Sequence, residues 1–176
     1  MTAATIERAP GSIVLPYNVV DDKPYAPTPR QYEFHTAPET EKLYGGAVGG
    51  GKTTCLVCEV MTLMWEYPHN EGLIARRDFD DLRRTTYAEF LRWCPPEIIR
   101  QHHKSEHWIR FICPVHGRNA DCGSRVHFLE TKDMGALKNA NFGFVAFDQA
   151  EEVSYDAYLW SGTRLRLAHV PYRPRL

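Results

Sequence analysis

A chain of 176 residues, 43% hydrophobic and 24% charged with a net charge of −1, is long enough for one domain with a core and too short for two comfortable ones. The near-neutral balance excludes recognition of nucleic acid by bulk charge, so any such surface must be local. No apolar run approaches a bilayer span, and the N-terminal segment lacks the charged start and apolar core of a secretion signal, which together predict a cytosolic protein.

Residues 1–30 carry Pro10, Pro16, Pro24, Pro27 and Pro29 with few periodic apolar positions. They read as an extended arm, and residues 31–176 as the domain. From residue 40 onward, short apolar strands alternate with amphipathic helices, the pattern of a parallel sheet covered on both faces. The first strand is predicted to end at Leu43 and Tyr44. After a run of glycines comes a helix that buries Leu56, Val57, Val60, Met61, Met64 and Trp65 and stops at Pro68. "EGLIARR" reads as a second strand, and "DFDDLRRTTYAEFLRWC" as a helix opened by Asp78 and ended before Pro95. "HWIRFIC" and "SRVHFLE" alternate as strands and are joined by a polar connection, so a hairpin or an adjacent pair is expected. "FGFVAFD" is a nearly continuous apolar strand suited to a sheet centre. Residues 154–169 predict a final helix.

The glycine run carries the chemistry. Gly46, Ala47, Val48, Gly49, Gly50, Gly51, Lys52 and Thr53 match GxxxxGK[ST], with a predicted strand before and a helix after. Glycines permit dihedrals that aim backbone N–H groups at a polyphosphate. The Lys52 ammonium can reach β and γ phosphate oxygens, and the Thr53 hydroxyl can ligate Mg²⁺. Thr54 continues into the helix start, whose partial charge of about half a unit favours an anion. A glycine-rich linker with an exposed lysine is the plainer alternative, and it leaves the flanking strand and helix unexplained.

A hydrolysing nucleotide site also needs a carboxylate at the end of a nearby strand to hold the metal's water shell. Asp148, closing "FGFVAFD", fills that place, although an aspartate there can also be a simple helix cap. Thr53 and Asp148 are thus the predicted metal residues. Many P-loop motors have a glutamate next, but here the residue is Gln149, and an amide is no base at neutral pH. Either Gln149 orients the water, or Glu151 or Glu152 swings in from the next turn, with Glu151 preferred. Both glutamates could instead merely favour the first turn of the next helix.

"PTPRQYEFH", "LYGGAVGGGKT", "GLIARRDFDDLRRT", "GSRVHFLE" and "FGFVAFDQAEEV", in this order and spacing, resemble the ATPase domain of the large terminase subunit, the DNA-packaging motor of tailed bacteriophages and prophages. The resemblance covers about residues 27–168. It implies an α/β P-loop fold of the additional-strand (RecA-like) type, with a mainly parallel central sheet flanked by helices. It implies ATP and Mg²⁺ as cofactors and hydrolysis driving double-stranded DNA into a procapsid. Portal protein and small terminase subunit are the implied partners, a homo-oligomeric ring the implied assembly, and the host cytoplasm the implied location.

The resemblance also assigns roles. Gln31 corresponds to a glutamine that reads the adenine edge, and Lys52, Thr53 and Asp148 to the phosphate and metal residues. An arginine frequent inside the family's phosphate loop is replaced here by Ala47 and Val48. Lys138, ten residues before Asp148, stands where some terminases place an arginine that reaches a neighbouring subunit's nucleotide, without the bidentate fork of arginine. Arg164 and Arg166 are alternatives for that role, or simply solvated charges. The family continues into a coupling motif and a nuclease domain absent from this sequence, so the expectation is a fragment without nuclease activity and with a sheet incomplete at its C-terminal side. Two other readings remain: a DNA helicase or translocase on the same core, or a nucleotide-binding assembly module without turnover.

Two weaker patterns complete the reading. Cys113-Pro-Val-His116 followed by Cys122, with His127 nearby, offers the soft ligands of a zinc knuckle, but without a regular two-by-two spacing. With an odd five cysteines and no secretion signal, reduced, partly buried thiols are the expected state. Arg76, Arg77, Arg83, Arg84 and Arg92 could touch DNA phosphates, or with Asp78, Asp80 and Asp81 form a mixed solvated face.

Overall fold

The computed structural model describes residues 17–18, 21–47, 49–172 and 174–176. Val48 and most of the arm expected over residues 1–30 lie outside the described residues. The chain first forms a small antiparallel pair, β1 (Tyr17–Asn18) with β2 (Lys23–Pro24), and then buries Tyr25 in the core at 3% exposure. α1 (Pro29–Thr36) starts on a capping box. Thr28 Oγ1 accepts from Gln31 N, Gln31 Oε1 accepts from Thr28 N, and Pro29 occupies the first helical turn.

α2 (Lys52–Glu66) ends before Pro68, as expected, and leads to β3 (Glu71–Arg76). The Asp78 side chain accepts from Asp81 N and opens α3 (Phe79–Leu82), which passes through a π-helical turn (Arg83–Tyr87) into α4 (Ala88–Trp93) with helical dihedrals at both junctions. Next come β4 (Ile99–His103), β5 (Trp108–Phe111), β6 (Arg125–Glu130), β7 (Phe144–Phe147) and α5 (Tyr155–Gly162). The strand order is β4-β5-β6-β3-β7. β6, β3 and β7 are parallel, while β4, β5 and β6 pair antiparallel.

Side-chain alternation along the parallel strands sorts the core into two layers. Ile74, Phe144 and Ala146 join α2, Phe90 and Phe128 in one cluster. Leu73, Ala75, Val145 and Phe147 join Met134, Phe142 and the α5 residues Ala157, Tyr158 and Trp160 in the other. The result is the expected α/β architecture, a mixed sheet covered on both faces and parallel where β3 and β7 carry their C-terminal ends to one side. Among the described residues no helix is long and apolar enough to cross a membrane.

Several expectations are corrected. No ladder strand ends at Leu43 and Tyr44: Glu41 makes only an isolated bridge to Arg175, and Leu43 is 82% exposed. The partner segment lies at residues 174–176. Its Arg175 exchanges hydrogen bonds with Thr40 and Lys42 (2.8 and 3.0 Å) on one side, while Pro174 and Leu176 bond Val145 and Phe147 of β7 on the other. β7 is therefore flanked on both sides, as its apolar run implied. The last helix stops at Gly162 rather than 169, because Arg164 O and Leu167 N are taken by the backbone of Phe142 (2.8 and 3.2 Å). β4 has no counterpart in the sequence reading: its residues, IRQHH, are half-buried and mostly polar.

Candidate active site

The glycine run forms a loop whose conformation only glycine holds without strain at Gly49 and Gly51, with φ of 79° and 70°. Gly51 also caps α2 without a side chain, so no side-chain cap bonds the first-turn amides. Lys52 curls back over the loop and donates from Nζ to Gly46 O at 2.9 Å and Ala47 O at 3.1 Å. The loop is anchored from α1, where Gln31, 5% exposed, donates from Nε2 to Gly51 O at 3.1 Å. A Cβ on Gly51 would stand 2.8 Å from that nitrogen. With its carbonyl oxygen on Thr28 N, Gln31 is engaged at both polar ends by the protein.

Asp148 closes β7 and is 8% exposed. Its Oδ2 accepts from Thr86 Oγ1 at 2.5 Å and from Arg76 Nη1 at 3.3 Å. The parallel register pairs Ala75 with Phe147, which brings Arg76 beside Asp148. Arg76 Nη1 also donates to Thr85 Oγ1 at 3.0 Å, while its Nε is buried without a hydrogen-bond partner. Gln149 then turns the chain with left-handed dihedrals, φ 56° and ψ 60°, a costly conformation for a residue with a Cβ.

Two adjoining clefts meet at Lys52, Asp148 and Gln149. One, of about 630 Å³, is bounded by Tyr44, Gly46 and Glu151. The other, of about 570 Å³, is bounded by Gly49, Gly50, Gly51, Thr53, Thr54 and Glu89. Glu89 is held by Thr54 Oγ1 at 2.6 Å and Trp93 Nε1 at 2.8 Å. The glycine cradle, the helix start without a side-chain cap and the lysine fit a polyphosphate. A hydroxyl and a carboxylate, Thr53 and Asp148, on one cleft fit a magnesium ion that keeps most of its waters.

The predicted residues thus gather, with exceptions. Glu152 and Lys138 are exposed and line neither cleft, Ala47 and the buried Gln31 line neither as well, and Val48 lies outside the described residues. Arg76, Thr86 and Glu89 were not anticipated as partners of the site. The signal for Arg76 is its place at the end of the strand beside β7; Thr86 and Glu89 leave none. Of the other arginines, Arg83 pairs with Asp80 at 3.2 Å, Arg84 with Asp81 at 3.5 Å and Arg92 with Asp21 at 3.5 Å, and Arg84 and Arg92 also line the second cleft. Arg164 packs over the Trp160 ring, and Arg166 is exposed.

No protein-family model and no curated protein matches the chain. Solved structures do. The large terminase of a thermophilic bacteriophage is similar with a TM-score of 0.69 at 14% identity, over 84% of this chain and 37% of that one. The ATPase domain of the Thermus phage P74-26 large terminase gives 0.70 at 13%, over 86% of this chain and 64% of that one. The first of these proteins in complex with ATP-gamma-S gives 0.62 at 12%, over 84% and 37%. The chain spans less than two thirds of each of these structures. It has the fold of the large terminase ATPase domain.

Proposed function

We propose that the chain hydrolyses ATP as the motor domain of a phage DNA-packaging terminase, driving double-stranded DNA into a procapsid. The observation that carries this reading is the meeting of Lys52 and Asp148 on both clefts beside the glycine loop. Its fold relatives include a large terminase solved with ADP and with ATP-gamma-S. When bound, ATP with Mg²⁺ supplies the γ-phosphoryl group that water attacks.

The chain's own residues divide the remaining work. Lys52 and the amides of the loop stabilise the negative charge that develops on the phosphate oxygens. Thr53 and Asp148 hold the metal side. Glu151, on the wall of the larger cleft, takes the water's proton, and Gln149 orients that water. Lys138, exposed after the 3-10 helix Thr131–Leu137, serves a neighbouring subunit in a homo-oligomeric ring. Portal protein, small terminase subunit and DNA complete the machine in the cytoplasm of the infected host.

Phosphate release, measured with and without double-stranded DNA, tests the reading. Wild-type turnover with a Lys52→Ala variant reduced to background is the expected result. A Lys52→Ala variant at the wild-type rate overturns it, and a wild-type chain that binds ATP without turnover would leave a nucleotide-binding module.

A further inference from the structure

Away from the clefts, His69, Cys113, His116 and Cys122 each bring one ligand atom into a group whose members all lie within 4.8 Å of one another. A tetrahedral zinc ion, with Zn–S of about 2.3 Å and Zn–N of about 2.0–2.1 Å, sets its ligand atoms roughly 3.3–3.8 Å apart. His116 Nδ1 lies 3.4 Å from Cys113 Sγ and 3.2 Å from Cys122 Sγ. One imidazole N–H can serve two sulfurs only through a bifurcated bond, whereas a cation satisfies every lone pair directed at the centre.

The backbone is arranged as a metal knuckle. Gly117, at φ 75°, donates from N to Cys113 O at 2.8 Å, and His116 N lies 3.4 Å from Cys113 Sγ with its N–H toward the sulfur. Such a bond stabilises a thiolate. Residues 112–124 form a long connection between β5 and β6 without a strand or helix of their own, and Val115 within it is 67% exposed. Arg118 and Asp121 tie its middle to Glu97 and Arg110, and an ion held at its sulfur and imidazole groups adds order where apolar burial is small.

We propose that these four side chains hold one structural zinc ion, with two thiolates balancing its charge and two neutral imidazoles completing the tetrahedron. The sulfur and imidazole set selects zinc over magnesium or calcium. The ion joins the β5–β6 connection to the turn between α2 and β3. That turn lies at the start of β3, whose six residues separate it by roughly 20 Å from the Arg76 end at Asp148. The centre therefore acts on stability rather than on the nucleotide chemistry. Its fourth ligand is His69, not His127, whose Nε2 is 2.6 Å from Glu71 Oε1.

Metal analysis of the purified chain is expected to find one zinc per chain, and cobalt exchanged for it is expected to show the visible bands of tetrahedral thiolate coordination. Chelation is expected to lower the melting temperature. His69→Ala and Cys122→Ser should lose stoichiometric metal, while His127→Ala keeps it. Because a ligand variant could fail to fold, the wild-type chain decides: a folded wild-type protein that takes up neither zinc nor cobalt, or whose Cys113 and Cys122 are joined as a disulfide, overturns the assignment. So does a folded His69→Ala variant with wild-type metal content.

Discussion

Thr86 donates its hydroxyl to Asp148 Oδ2 at 2.5 Å from a fully buried position on the π-helical turn Arg83–Tyr87. A π turn inserts one residue into a helix and rotates the side chains after it about the helix axis. Here that turn places Thr85 against Arg76 and Thr86 against Asp148. The carboxylate at the proposed metal side is thus fixed from a helix far away in sequence.

Thr86→Val keeps the shape and removes the hydroxyl. A hydrogen bond to a charged group contributes about 1.5–3 kcal/mol, so Asp148 loses that much restraint and leans on Arg76. The expected outcome is an ATPase rate lowered about tenfold or more, with more magnesium needed for half-maximal turnover. A steady-state magnesium titration of both proteins decides it, and superimposable curves would remove Thr86 from the site.

Glu151 and Glu152 are separated by their placement. Both are exposed on the 3-10 turn Ala150–Glu152, but only Glu151 lines a cleft with Lys52 and Asp148. A general base contributes roughly a hundredfold or more, so Glu151→Gln should lower turnover by about that factor and Glu152→Gln by less than about threefold. Phosphate-release rates of the two variants provide the comparison. Equal, wild-type rates in both would move the role to orientation of water by Gln149.

Local chemistry made much of this legible from sequence. Gly49 and Gly51 can adopt their dihedrals wherever the loop is placed, Asp78 caps its own helix, and the apolar runs 71–76 and 144–147 contain few other options than strands. What escaped depends on register and on distant partners. Arg76 meets Asp148 only because β3 and β7 pair in parallel. Thr86 reaches it only through an extra residue in the helix. His127 is closer in sequence to Cys122 than His69 is, yet it points to Glu71, while the turn after α2 brings His69 to the cysteines. The strand at Ile99–His103 has mostly polar residues because it is the outer strand of the order, half-buried along most of its length.

Gly72 faces Phe144 across the pairing of β3 with β7. A Cβ at Gly72 would lie 1.8 Å from Phe144 Cζ, inside a ring that is fully buried. Gly72→Ala must push the ring into a filled core, which costs about 3 kcal/mol. Urea unfolding should show that loss, and adding Phe144→Leu should recover part of it by freeing the space. A Gly72→Ala chain with the wild-type midpoint, or a double variant that is simply additive, contradicts the contact.

His102 on β4 gives a pH dependence with a defined sign. Burial first, and the neighbouring Lys104 charge second, hold its imidazole below the usual histidine range. The Tyr87 hydroxyl bonds its Nε2, and burial raises the tyrosine, so the phenol is the donor and the neutral ring the acceptor. In the unfolded chain the ring takes up a proton near pH ~6.5. Between that value and the lower folded one, the unfolded state binds more protons, so stability falls with acidification. The contribution is complete above the unfolded value and is lost as pH falls through the folded one. His102→Gln retains an acceptor for Tyr87 and cannot titrate. The difference in melting temperature between wild type and this variant should shrink in favour of the variant from about pH 7.5 to about pH 5.5, the range that brackets an ordinary histidine. Other histidines contribute equally to both proteins and cancel in the difference. A difference that stays constant across that range would mean that the imidazole titrates alike in the folded and unfolded chain, and that its bond with Tyr87 survives protonation.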